Sequence, residues 1–231
     1  GPAQALEALD HLAHGGARDG AGGGGLVGGE RDPHGRGVGV VVDEEVVDLP
    51  VELLALGEGP RGAGRGGEGL AERVAEVVAN PSFSAFDRIL NVQGDEPFVA
   101  SAAIKGALAC LEQGDPLGTA AGSLDPALAS DPSRVKVVVD AHGRALYFSR
   151  APIPFDREGT GDVIYHQHVG VYAYTREALE RWVQLPPVPA EQWEKLEQLR
   201  PLLHGIPIGV TLFDGPAAPG IDTPADLVWA E

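Results

Sequence analysis

The sequence lacks the features that would place it in several large classes of protein. It contains one cysteine, Cys110, so an internal disulfide and any metal site built from several thiolates are excluded, as is typical of a reducing compartment. No apolar run approaches the roughly 20 residues that a membrane-spanning helix needs. We therefore expect a soluble cytoplasmic protein that is not embedded in a membrane.

Basic residues are also scarce. The chain has 17 Lys and Arg against 34 Asp and Glu, which gives a formal net charge of −17 at pH 7. Non-specific binding to nucleic acid or to an anionic membrane needs clustered Lys and Arg, so neither is an expected partner. An anionic substrate would need a few local basic residues or a metal ion.

The first third of the chain is restricted in composition. Residues 1–79 use ten residue types and contain no Ser, Thr, Ile, Lys, Phe, Tyr, Trp or Asn, all of which occur from Asn80 onward. Each of the ten types can be encoded by a codon that begins with G or C, as happens when GC-rich DNA is read out of frame. Two interpretations of the anomalous segment 1–68 stay open: an out-of-frame reading, or a natural low-complexity segment that is disordered because it buries little apolar surface.

The hydrophobic pattern beyond this segment predicts alternating helices and strands. Helices are expected over 70–79, 102–112, 176–183 and 191–203, and strands over 89–93, 135–140, 145–148, 168–174 and 208–213. Gly143 is expected to supply the positive φ of a hairpin turn. This order predicts an α/β fold, with a sheet that includes at least one antiparallel hairpin.

The stretch NVQGDEPF, residues 91–98, places an acidic turn at the end of a strand that is expected to be buried. In an open α/β sheet, ligands bind beyond the carboxyl ends of the strands. Asp95 is therefore placed to hold Mg²⁺, which takes one or two carboxylates together with water and substrate phosphate. A second acidic turn, GIDTPADL at 220–227, offers Asp222 as a partner. Each aspartate taken alone also fits a helix cap or a turn.

Five blocks of sequence, in this order, resemble the 3-deoxy-manno-octulosonate cytidylyltransferase family. They are NVQGDEPF, VKVVVDAHGRALYFSRAPIPFDR (135–157), HVGVYAY (168–174), LEQLR (196–200) and GIDTPADL. The resemblance makes residues 69–231 the expected cytidylyltransferase domain. It implies a Rossmann-like nucleotidyltransferase fold with a mixed sheet flanked by helices, usually a homodimer. It also implies that CTP and the acidic sugar 3-deoxy-manno-octulosonate (Kdo) are joined to give CMP-Kdo, for lipopolysaccharide synthesis, and pyrophosphate.

The resemblance also assigns roles to individual residues. Asp95 and Asp222 match magnesium ligands, and Arg73 matches a residue of the nucleotide site. The residues that match contacts to the sugar are Gln93, Arg150, Arg157, His168, Tyr172, Glu197 and Gln198. His168 and Tyr172 are four residues apart, which places them on the same face of a strand. Taken without the resemblance, the arginines fit surface ion pairs, His168 and Tyr172 fit core positions, and Glu197 and Gln198 fit a solvated helix face.

One motif of the family is missing. The family begins with a strand and a Pro-Ala-Arg-x-x-Ser-x-Arg-Leu-Pro-Gly-Lys loop that holds the CTP triphosphate, whereas residues 1–68 contain neither Ser nor Lys. Three functions therefore stay open. The first is Mg²⁺-dependent transfer of CMP to Kdo, and the second is transfer to another acidic sugar of the 8-amino-Kdo or sialic acid type. The third is a non-catalytic remnant that keeps the sugar pocket without a grip on CTP.

Overall fold

The computed structural model describes residues 69–84, 86–93, 96 and 98–217, together with the backbone of two strands at 37–43 and 53–56. The strands are β1 Gly37–Asp43, β2 Leu53–Leu56, β3 Phe86–Val92, β4 Leu117–Leu124, β5 Lys136–Val139, β6 Ala145–Ser149, β7 Tyr165–Thr175 and β8 Ile208–Pro216. The α-helices are α1 Leu70–Val78, α2 Ser101–Glu112, α3 Arg176–Trp182, α4 Pro189–Glu194 and α5 Leu199–Leu203.

The strands form one mixed sheet in the order β2-β1-β3-β7-β4-β8, and the β5-β6 hairpin joins it through β5 and β7. Strand β7 runs antiparallel to both of its neighbours, whereas β1 and β3 are parallel, as are β4 and β8. Because β7 runs against β3, the carboxyl end of β3 meets the middle of β7, where Val92 pairs with Val171. The predicted mixed α/β sheet is confirmed, and so is the hairpin with Gly143 at φ 77°.

The two faces of β7 pack into different parts of the core. Val169, Val171 and Ala173 face a cluster built around α2, whereas Tyr172 and Tyr174 face a second cluster that includes residues of α1 and α3. This alternation follows from the two-residue period of a strand. As a result, α2 covers one face of the sheet at β7, and the opposite face packs against residues of α1 and α3.

The prediction of one continuous helix over 191–203 is wrong. The structure has two short helices there, α4 and α5, because Lys195 adopts the left-handed conformation (φ 55°, ψ 49°) that ends α4. Glu197 then turns away and accepts a hydrogen bond from the Leu70 N–H at 2.8 Å. That contact is made with a residue far away in the sequence, so no helical periodicity could reveal it.

Strand β4 was not predicted, because its sequence LGTAAGSL is made mostly of small residues. The structure explains their size. A Cβ atom added at Gly118 would lie 2.1 Å from the Ala107 carbonyl oxygen of α2, so glycine lets this helix pack directly on the strand. Small residues here reflect close packing between helix and sheet rather than a loop.

Strands β1 and β2 belong to the anomalous segment 1–68, and the rest of that segment lies outside the described residues. The domain boundary and the origin of the segment therefore stay predictions. Within the part of the chain that the structure describes, no helix combines the length and the apolar character needed to cross a membrane.

Candidate active site

A cavity of about 470 Å³ lies beside the carboxyl end of β3, against the face of β7 that lies opposite α2. Cavities of this size are typical of small-molecule sites. Its walls come from the start of α1, the segment before β5, the end of β6 and the residues between α4 and α5. Six residues that were predicted to contact a sugar line it together: Gln93, Arg150, His168, Tyr172, Glu197 and Gln198.

The floor of the cavity is one face of β7. His168, Gly170, Tyr172 and Tyr174 all line the cavity from alternate positions of the strand. The His168 and Tyr172 ring centroids lie 5.3 Å apart, and those of Tyr172 and Tyr174 lie 6.0 Å apart. The prediction that His168 and Tyr172 share a face is confirmed, and the floor is an aromatic surface with a single polar imidazole.

His168 is held as a neutral hydrogen-bond acceptor. The Thr119 hydroxyl donates its only proton to the Val171 carbonyl oxygen at 2.7 Å, so its oxygen accepts from His168 Nε2 at 3.0 Å. Burial lowers the pKa of His168 to about 3, since an imidazolium would be poorly solvated there. The ring therefore carries its proton on Nε2 at neutral pH, which leaves Nδ1 able to accept a hydrogen bond.

The residues that follow β3 form hydrogen bonds with both the carbonyl oxygen and the N–H of Gly170. The Gln93 N–H donates to the Gly170 carbonyl oxygen at 2.9 Å, and the Gly170 N–H donates to Glu96 Oε1 at 2.8 Å. A Cβ at Gly170 would lie 2.2 Å from Gln93 Oε1, so glycine lets the Gln93 amide lie directly over β7. Sequence reasoning assigned no role to Glu96, which lines the cavity and connects this segment to β7.

Arg150 connects three parts of the cavity wall. Its guanidinium donates to the main-chain carbonyl oxygens of Glu194 at 2.7 Å, Pro132 at 2.8 Å and Lys195 at 3.4 Å. In return, the Glu194 carboxylate accepts from the Arg150 N–H at 2.9 Å and from the Ser149 hydroxyl at 2.7 Å. Arg150 therefore holds α4 against the end of β6, whatever it also contributes to a substrate.

Lys136 supports the same wall from beneath. Its side chain is fully buried, and its ammonium donates to the carbonyl oxygens of Asp131 at 3.0 Å, Arg134 at 2.5 Å and Arg150 at 2.6 Å. Burial lowers its pKa, and these three hydrogen bonds compensate the charged form. Sequence reasoning missed Lys136, because a lone lysine in a strand of valines carries no signal of burial.

Glu197 and Gln198 directly precede α5. Both Glu197 carboxylate oxygens accept from the Leu70 N–H, at 2.8 and 3.1 Å, which satisfies an amide of the first turn of α1. A buried ion-pair group lies behind them, where the Arg200 guanidinium pairs with the carboxylates of Glu191 and Glu72. These contacts fix the start of α1 and the cavity wall to one another.

Four of the predicted site residues are not placed at the cavity. Arg73 and Arg157 are exposed and are not among its lining residues, so their roles stay predictions. Asp95 and Asp222 lie outside the described residues, and so does any metal site that they form. Among the residues that are described, no group of three or more His, Cys, Asp or Glu side chains could hold a metal ion.

The sheet order and the position of the cavity can be compared with proteins of known structure. The solved structure of CMP:2-keto-3-deoxy-manno-octonic acid synthetase complexed with CTP is similar, with a TM-score of 0.70 and 29% identity over 84% of this chain and 96% of that one. The fold is therefore of the nucleotidyltransferase type. The cytidylyltransferase family matches residues 69–208, and the chain belongs to that family.

The names of curated relatives agree with this family assignment. The 3-deoxy-manno-octulosonate cytidylyltransferase of Gemmatimonas aurantiaca is 52% identical over 164 residues, which cover 69% of this chain and 63% of that protein. The protein of the same name from Anaeromyxobacter sp. is 41% identical over 195 residues, covering 82% of this chain and 76% of that protein. The match therefore spans less than two thirds of the length of the Gemmatimonas protein.

Proposed function

We propose that this chain transfers CMP from CTP to Kdo, giving CMP-Kdo and pyrophosphate. The observation that carries the proposal is the convergence of six residues, spread from Gln93 to Gln198 in the sequence, on one cavity. The same residues match sugar contacts in the family, and the relatives of this chain are named for this reaction. The homodimer and the cytoplasmic location that the resemblance implies stay predictions.

The cavity suits a polyhydroxylated substrate. The amides of Gln93 and Gln198 both donate and accept hydrogen bonds, and neutral His168 offers an acceptor at Nδ1, so hydroxyl groups can be paired in either sense. In the reaction, the anomeric hydroxyl oxygen of the sugar bonds to the α-phosphorus of CTP, that hydroxyl loses its proton, and the bond to the departing pyrophosphate breaks. The side chains of the cavity contribute by holding the sugar in one orientation, which is a large part of such a rate enhancement.

Asp95 and Asp222 are the residues that would hold Mg²⁺. The described neighbours of Asp95 in the sequence support this proposal, because Gln93 and Glu96 both line the cavity. Two carboxylates are hard oxygen donors of the kind that Mg²⁺ prefers. When bound, the metal would offset the negative charge of the α-phosphate and lower the pKa of the attacking hydroxyl.

The proposal is tested by measuring the release of pyrophosphate from CTP. Each assay contains Mg²⁺ and one of three acidic sugars: Kdo, 8-amino-Kdo or N-acetylneuraminate. We expect release that depends on Kdo, with the other two acidic sugars turned over more slowly. Release with one of the other sugars but not with Kdo would transfer the assignment to that sugar. No release with any sugar, from a chain that still binds Kdo, would identify a non-catalytic remnant.

Replacing Arg150 with alanine is expected to raise the KM for Kdo by about tenfold and to leave the KM for CTP within about twofold, because a charge-assisted hydrogen bond from its guanidinium to a sugar hydroxyl is worth roughly one power of ten in binding. The variant also removes three hydrogen bonds to main-chain carbonyls, so thermal unfolding must be measured in parallel. The matched control is Arg181→Ala, which removes an exposed arginine of α3. An unchanged dependence on Kdo would leave Arg150 with a structural role only.

A further inference from the structure

Lys195 has an unusual backbone at the rim of the cavity. It is exposed, it lines the cavity, and its φ of 55° is the only positive value of a non-glycine residue in the described part of the chain. A residue that ends a helix in this conformation is usually Gly or Asn, because a longer side chain is disfavoured there. Strained backbone that persists beside a cavity points to a use for the side chain.

The cavity has few cations that could meet an anionic ligand. Among the described residues that line it, only Arg150 and Lys195 carry a positive charge, since His168 is neutral. The Arg150 guanidinium already donates to three main-chain carbonyls. The Lys195 ammonium forms no ion pair with any described carboxylate, so its charge is available to a ligand.

Two glutamates, Glu96 and Glu197, also line the cavity, and neither forms an ion pair with the Lys195 ammonium. Glu96 accepts a hydrogen bond from the Gly170 N–H, and Glu197 accepts from the Leu70 N–H. They nevertheless add negative potential to a chain whose formal net charge is −17. A sugar carboxylate that enters this cavity is therefore repelled unless a cation pairs with it directly.

The main chain at Lys195 is held firmly in place. Its carbonyl oxygen accepts from Arg150 Nη2 at 3.4 Å, and its neighbour Glu194 is bound to Arg150 through both its carboxylate and its carbonyl oxygen. Two residues further on, Glu197 is fixed to the start of α1. The Lys195 side chain thus extends from a rigid support, which reduces the entropic cost of placing its ammonium against a ligand.

We infer that Lys195 pairs with the carboxylate of the acidic sugar and so determines that this cavity selects carboxylated sugars over neutral ones. The inference rests on the proposed function, since it takes the cavity to be the sugar site. It adds a residue that neither the family resemblance nor the sequence pattern singled out. The competing explanation is that Lys195 only ends α4, with its charge near the carbonyl end of that short helix.

The test compares the binding of Kdo with that of its uncharged methyl ester to the full chain, by titration calorimetry. We expect the native chain to bind Kdo about five- to tenfold more tightly than the ester, because one charge-assisted contact at a partly exposed site has about this value. Lys195→Gln is expected to lose that preference by weakening Kdo alone, and Lys195→Arg to keep it. Lys105→Gln, which removes an exposed lysine of α2, is the matched control for net charge.

A third variant, Lys195→Gly, separates binding from folding. Glycine accepts the left-handed backbone without strain, so the melting temperature of the variant should not fall below that of the native chain. Its preference for Kdo over the ester should nevertheless disappear. A Lys195→Gln chain that still prefers Kdo to the ester as strongly as the native chain overturns the inference and leaves the proposed function standing. A native chain that binds neither compound overturns the sugar site itself.

Discussion

Asp95→Asn is expected to lower the rate of CMP-Kdo formation by at least about a hundredfold, comparable to the loss of one strong contact to the charge that develops in a transition state. Asparagine has nearly the volume of aspartate but lacks its charge, so the loss would fall on metal binding and not on packing. The measurement is the rate of pyrophosphate release at saturating CTP and Kdo, with Mg²⁺ varied.

The control for this variant is Asp162→Asn, the same substitution at an exposed residue that does not line the cavity. It should leave the rate and the Mg²⁺ dependence unchanged. Kdo binding without CTP should survive Asp95→Asn within a fewfold, because the sugar contacts come from other side chains. Undiminished turnover in Asp95→Asn would remove Asp95 from the mechanism.

Arg200→Met is expected to destabilise the fold by about 3–5 kcal/mol, the cost that is typical of leaving a buried ion pair without one partner. The Arg200 guanidinium is largely buried and pairs with two carboxylates, Glu191 on α4 and Glu72 on α1. Removing it leaves both acids near each other without a compensating charge. The measurement is the free energy of unfolding from urea denaturation, with the slope checked for two-state behaviour.

Two further variants make this result specific. Arg181→Ala removes an exposed arginine and should change the free energy of unfolding by less than about 0.5 kcal/mol. Adding Glu191→Gln to Arg200→Met should recover part of the loss, since one of the two uncompensated charges is then gone. A loss below about 1 kcal/mol in Arg200→Met alone would show that the buried ion pairs add little net stability.

The parts of the site that depend on local periodicity could be predicted from the sequence. A spacing of four residues placed His168 and Tyr172 on one face of a strand, and the structure places both on the floor of the cavity. The hairpin turn at Gly143 was also predictable from local sequence, since glycine adopts positive φ without steric cost. The proposal that the cavity is a sugar site came from the family resemblance and not from these patterns.

The parts that depend on how the backbone is arranged around a residue could not be predicted. Lys136 is buried because three carbonyl groups surround its ammonium, and none of them belongs to a residue of β5 or β6. Helix α4 ends at Lys195 although the pattern from 191 to 203 reads as one continuous helix. Strand β4 was missed because its small residues are explained only by the helix that packs on them. In each case the determining feature is the three-dimensional arrangement of the backbone, which the pattern of residue types does not reveal.

The function proposed for this chain requires Kdo to bind in the cavity on the face of β7 opposite α2. A crystal structure of the chain grown with Kdo tests it most directly. We expect the sugar in this cavity, with hydrogen bonds to Gln93 and to Nδ1 of His168, and with its carboxylate beside Lys195. Kdo bound elsewhere, or in the cavity with its carboxylate turned away from Lys195 and its hydroxyl groups away from both other side chains, would show that the proposed sugar site is wrong.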